Sequence, residues 1–116
     1  MSQIYLDLIR DLQSQLEVLQ EAIASQLEPA PAIAKDWQRS HRVIQNFFHT
    51  QIINTELEVT APHLSLQVEI DKQLKMLGVD LNMLQAVRNP ATWEKRHQQA
   101  YERLVLLQRY YQMHSK

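Results

Sequence analysis

Residues 70–90 read IDKQLKMLGVDLNMLQAVRNP, and two sets of apolar positions run through them. Ile70, Leu74, Leu77, Leu81 and Leu84 alternate gaps of four and three, the spacing that turns one face of an α-helix toward a neighbour. Met76, Val79, Met83 and Val87 lie on a second face of the same helix. A helix apolar on two faces is central in its domain or shared with another chain. Gly78, the chain's only glycine, falls in mid-helix, where it costs about 1 kcal/mol relative to alanine. Close approach of a neighbouring helix or subunit would compensate, and a hinge is the second explanation. Asn89-Pro90 reads as an N-cap followed by a first helical residue, so a last helix starts at once and turns back on the third.

Outward from this stretch the same period recurs. Tyr5, Leu8, Leu12, Leu16, Leu19, Ile23 and Leu27 are spaced by threes and fours and predict a first helix, with Ser2 as its N-cap. Pro29 disfavours helical geometry at Glu28 and ends it. A second helix restarts near Pro31, with Ile33, Trp37, Ile44, Phe47, Phe48 and Ile52 inward, Lys35, Arg39 and Arg42 outward, and Ser40 and His41 interrupting the apolar face. Periodicity lapses from about residue 54 to 62, the place for a longer connection with Thr60 as a cap. The third helix is expected from Pro62 to Arg88. The fourth carries Trp93, His97, Ala100, Leu104, Leu107 and Tyr111 on one face, widened by Tyr101 and Val105. The expected fold is all-α, an antiparallel four-helix bundle with a long third helix, and residues 1–116 form a single helical domain.

Composition sets the exclusions. Without cysteine, the chain has no disulfide framework, thiolate metal site or cysteine nucleophile. One glycine cannot build a phosphate-cradling loop, a dinucleotide fingerprint or a nucleophile elbow. The acids near the start do not suit an export signal, and no apolar run approaches the roughly 20 residues of a membrane span. A cytoplasmic protein is expected. The net charge of −1 conceals a polarity: residues 1–87 hold six Lys/Arg against eleven Asp/Glu, and residues 88–116 hold six against two. Ion pairs between an acidic first helix and a basic last helix are the simple reading, and a basic face for an acidic partner is the sharper one.

No set of residues argues for catalysis. Glu94 and His97 have the Glu-x-x-His spacing of di-iron bundles, but that site needs the motif twice and two more glutamates. Ser40 and His41 are adjacent on a helix and point about 100° apart. No catalytic residue, cofactor or metal ligand is assigned. Lys95, Arg96, Arg103 and Arg109 interleave with Tyr101, Tyr110 and Tyr111, a pattern compatible with phosphate tracking, yet the chain lacks the excess of positive charge that nucleic-acid binders carry. A protein partner fits better. The candidate contacts are Arg88, Arg96, Arg103 and Arg109 for an acidic surface, with Met76 and Met83 on the adaptable second stripe.

From Gln73 to Arg96, QLKMLGVDLNMLQAVRNPATWEKR, and through the arginine- and leucine-spaced last helix, the chain resembles PatD, the heterocyst frequency control family of cyanobacteria. The residues that carry the resemblance are Lys72, Gln73, Leu74, Leu77, Asp80, Leu84, Gln85, Ala86, Arg88 and Pro90. It covers about the last 45 residues and is only a general amphipathic likeness before them. It implies a small developmental regulator that limits how many cells of a filament become heterocysts, with the division protein FtsZ as partner and no catalysis. It supplies no site residues. The alternative is a homodimeric helical scaffold or adaptor without a developmental role, whose second stripe on the third helix is consumed by self-association.

Overall fold

The leucine heptad of residues 70–84 finds its partners in three other helices. The computed structural model describes residues 3–53 and 61–114. In them α1 spans Gln3–Ser25, α2 Pro31–Phe47, α3 Ala61–Leu84 and α4 Pro90–His114, with a π-helical turn, Phe48–Ile53, continuing α2. Cross-helix bonds fix the direction of each neighbour. His41 meets Leu74 and the later His49 meets the earlier Asp71, so α2 and α3 are antiparallel. Trp93 reaches Gln26 and His97 reaches Ile23, so α4 runs against α1. Each helix packs on its sequence neighbours and α1 also packs on α4, closing an up-down-up-down antiparallel bundle.

Ile70 and the four heptad leucines of α3 are fully buried, together with Tyr5, Ile9, Leu12, Leu16 and Ile23 of α1 and Trp93, Ala100, Leu104, Leu107 and Tyr111 of α4. Each contributes about 1.5–3 kcal/mol on burial. Several sequence expectations are corrected at element ends. α1 stops at Ser25 and leaves Leu27 76% exposed, because Ser25 turns its hydroxyl back onto the Glu21 carbonyl at 2.6 Å and Pro29 follows. Ile33, expected inside, is exposed at the start of α2, where the bundle has not yet closed over it. α3 ends at Leu84 rather than Arg88: Gln85, Ala86 and Val87 bond three residues back, to Asn82, Met83 and Leu84, tightening the chain toward the next helix. Ser2 and residues 54–60, with the expected cap at Thr60, lie outside the described residues.

The α3–α4 junction follows the sequence reading. The Asn89 side-chain oxygen accepts from the Ala91 and Thr92 amides at 2.9 and 3.2 Å, with Pro90 opening the helix. α4 then caps α1: Trp93 Nε1–H donates to the Gln26 carbonyl at 3.4 Å, and His97 Nε2–H donates to Ile23. The Gln26 carbonyl lies just past the helix end, and the Ile23 carbonyl, which already accepts the Gln26 amide at 3.2 Å, uses its second lone pair for His97. Trp37 of α2 packs on Trp93 with ring centroids 6.0 Å apart. At the opposite end Gln67 of α3 donates to the Tyr5 hydroxyl at 2.6 Å.

Gly78 of α3 lies against His41 of α2. A Cβ there would lie 2.7 Å from His41 Cε1, well inside van der Waals contact. The buried His41 ring uses that gap to place Nε2 2.6 Å from the Leu74 carbonyl oxygen. A carbonyl only accepts, so Nε2 carries the proton. The helical bond from Gly78 takes one lone pair of that oxygen and His41 takes the other. Close approach, rather than a hinge, is the reason for the glycine.

Gly78→Ala therefore gains about 1 kcal/mol of helix propensity and loses more to overpacking, which costs about 1–3 kcal/mol. Denaturant unfolding is expected to show net destabilisation of about 1 kcal/mol in the wild-type background. In a His41→Ala background the same substitution is expected to stabilise by about 1 kcal/mol. An unchanged sign in both backgrounds would refute the account.

Candidate docking surface

The outer face of α3 is built by the residues that its inner heptad leaves over. Met76, Val79 and Met83 are spaced by three and four, and they stand 40%, 55% and 41% exposed. Leu64 and Val68 extend the exposed apolar face toward the start of α3. Val87, past the end of the helix, folds back against the core instead. The exposed ridge is thus Met76–Val79–Met83. Methionine flanking valine gives a deformable apolar surface.

Beside the ridge, between α2 and α3, lies an open groove of about 390 Å³, with His41 and Gly78 among its lining residues. Arg42 and Lys75 line it with the amides of Gln38, Gln45 and Asn82, and Val79 forms its apolar edge. The groove contains cations and amides but no carboxylate. Further along the same seam, Asp71 receives His49 Nε2–H at 2.6 Å and Lys75 Nζ at 2.9 Å. Burial acts to raise the Asp71 pKa, but the His49 and Lys75 hydrogen bonds, with the Lys75 charge, outweigh it and hold the carboxyl below its ordinary range. His41 is shifted downward by burial, against the opposing Leu74 bond and with the nearby Arg42 charge adding to the shift. Its neutral form is the folded form.

The four candidate arginines do not share one face. Arg88 is exposed in the turn after α3. Arg96 is half-buried and donates to Gln99 at 3.3 Å. Arg109 is exposed on another side of α4, in a shallow depression with Gln98, Tyr101, Glu102, Val105 and Leu106. Arg103 is not a free cation. Its Nε donates to Asp80 Oδ2 and its Nη1 to Gln73 Oε1, both at 2.6 Å, and Nη1 lies 3.5 Å from Met76 Sδ. The Arg103 and Asp80 side chains are only 20% and 12% exposed. This α3–α4 clasp consumes the charge while supporting the foot of the ridge at Met76.

Residues with a chemical reading are otherwise engaged. Ser40 is exposed while His41 points into the α2–α3 seam, so the two do not form a nucleophile pair. His97 donates to the Ile23 carbonyl and contacts the Trp93 ring, and Glu94 is exposed. Among the described residues no three His, Cys, Asp or Glu side chains converge to hold a metal ion, and no described helix is long and apolar enough to cross a membrane. Three features escaped the sequence: the Arg103–Asp80–Gln73 clasp, the His49–Asp71–Lys75 group and the π-helical turn on which His49 sits. The clasp had a signal in Asp80 and Gln73, two polar residues seven apart flanking the leucine heptad. The fold and surface define an all-α four-helix bundle with an exposed apolar ridge on α3. No family model, curated protein or solved structure matches the chain.

Two measurements follow from these bonds. Arg103→Ala leaves the Asp80 carboxylate with little solvent and no counter-charge, so chemical denaturation is expected to show a loss of about 2–4 kcal/mol; an effect below about 0.5 kcal/mol would make the clasp a surface pair. For pH, unfolded His41 takes up a proton near its ordinary value of about 6.5, before the folded form does, so stability falls as pH drops through that region. The Asp71 contribution is present above about pH 4 and is lost below it. Comparing wild type with His41→Gln between about pH 8 and pH 5 should give a shallower slope for the variant, and parallel curves would contradict the assignment.

Proposed function

We propose that the protein is a non-enzymatic regulator that binds a protein partner through the Met76–Val79–Met83 ridge and the adjoining α2–α3 groove. On the resemblance to PatD, the partner is FtsZ and the controlled process is heterocyst frequency, by steric or conformational control of FtsZ assembly. The observation that supports the reading is the exposure of the three ridge residues on a helix whose opposite face is fully buried. Exposed contiguous apolar surface on a small domain marks an interaction site more often than chance. The Arg42 cation beside it suits an acidic partner, with charge setting orientation and apolar contact supplying affinity, whereas Lys75 in the same groove is held by Asp71. A nucleic-acid reading draws less support, since Arg103 is neutralised by Asp80 and Arg109 lies away from Arg96.

The test is binding to purified FtsZ, with sedimentation of its polymers as a second readout. Wild type is expected to bind and alter polymer yield, and Met76→Asp with Met83→Asp should weaken binding by at least about tenfold, or 1.4 kcal/mol. Absence of both binding and any change in polymerisation would sink the partner assignment. An equal loss from Arg109→Ala would move the docking face to α4.

A further inference from the structure

A second apolar surface is built by α1 and α2 without α3. Between them runs a groove of about 320 Å³, with Leu19, Trp37 and Ile44 among its lining residues and Val18 and Val43 at its lips. The two lip valines are 69% and 66% exposed. Gln15 and Ser40 are the only polar residues in the lining. The groove is neutral and apolar, unlike the cation-lined groove beside α3.

We infer that this groove seats the α3 ridge of a second copy of the chain, head to tail. The shapes correspond: a row of side chains spaced by three and four on one helix packs into the furrow between two others. Methionines at both ends of the ridge adapt to the furrow floor. The charges correspond as well. Asp11, exposed one turn before Gln15, accepts the Gln15 amide at 3.2 Å and enters no ion pair among the described residues. Lys72, exposed one turn before Met76, and Arg42, exposed across the α2–α3 groove, likewise enter none. Groove against ridge brings acid to base, whereas groove against groove would bring Asp11 toward its own copy. Groove and ridge lie on different faces of the bundle, the α1–α2 face and the outer side of α3, so each contact leaves a free groove on one copy and a free ridge on the other, and the association is heterologous. Self-association would also cover the methionines assigned to the partner, so a second copy and the partner compete for one ridge.

The assay contains this chain alone, so its outcome is independent of the FtsZ reading. Sedimentation velocity of the wild type is expected to show weight-average mass rising above 13.7 kDa with concentration and falling back as salt is added. Val43→Lys blocks the groove and Met83→Asp blocks the ridge, both at exposed positions, and circular dichroism verifies that each variant stays helical. Each variant alone should sediment as a monomer. Mixed, Met83→Asp offers an intact groove and Val43→Lys an intact ridge, so the pair should form a one-to-one complex of twice the monomer mass and nothing larger. A wild type that remains monomeric up to millimolar concentration overturns the inference. So does a mixture that fails to combine, or a wild-type dimer that Val43→Lys leaves intact.

Discussion

The close approach of α2 to α3 at Gly78 governs how the rest of the bundle is arranged. The His41 ring fills the space of the missing Cβ and bonds the Leu74 carbonyl one turn earlier, which fixes both spacing and register between the two helices. About two turns further along the seam, His49 on the π-helical turn reaches Asp71. On the other flank Arg103 of α4 grips Asp80 and Gln73. α3 is thereby held from both sides by directional bonds, and leucine packing alone, which is non-directional, would allow it to rotate. With rotation fixed, the heptad faces inward and the Met76–Val79–Met83 row has only one direction left to face.

The bundle ends are closed by a different device. α1 lacks a basic last turn, and its terminal carbonyls receive Trp93 and His97 from α4. The donors sit on the first turns of the helix that Asn89 initiates. A single tight junction therefore sets the start of α4, the capping of α1 and the Trp37–Trp93 contact that joins α2 to the same end. At the other end of the bundle Gln67 and Tyr5 tie α3 to α1.

What could be read from the chain and what could not divide along a physical line. Helix number, the α3 heptad, the Asn89-Pro90 junction and a close contact at Gly78 follow from local spacing and backbone chemistry, which the sequence carries directly. Leu27 and Ile33 keep the apolar period yet stand exposed, because periodicity continues past the point where a neighbouring helix is there to cover it. Val87 likewise keeps the apolar rhythm beyond Leu84, where the backbone has already tightened into a turn. The Arg103 clasp depends on residues 23 and 30 apart meeting across two helices, which no local pattern encodes. Arg103 therefore looked like one of a row of free arginines.

The clasp narrows what the surface offers. With Arg103 neutralised, Arg96 partly buried and Arg109 on another side, the C-terminal excess of positive charge does not make a single basic face. The cations that do adjoin exposed apolar surface, Arg42 and Lys75, come from α2 and α3, helices in the more acidic part of the sequence. A recognition surface is set by which charges remain unspent after folding, and net charge along the chain counts those already consumed in clasps. Arg42 borders the α2–α3 groove without an ion pair among the described residues, Lys75 beside it is already spent on Asp71, and Lys95 and Arg109 stay exposed on α4, so the proposed docking at the α3 ridge leans on its apolar row more than on charge.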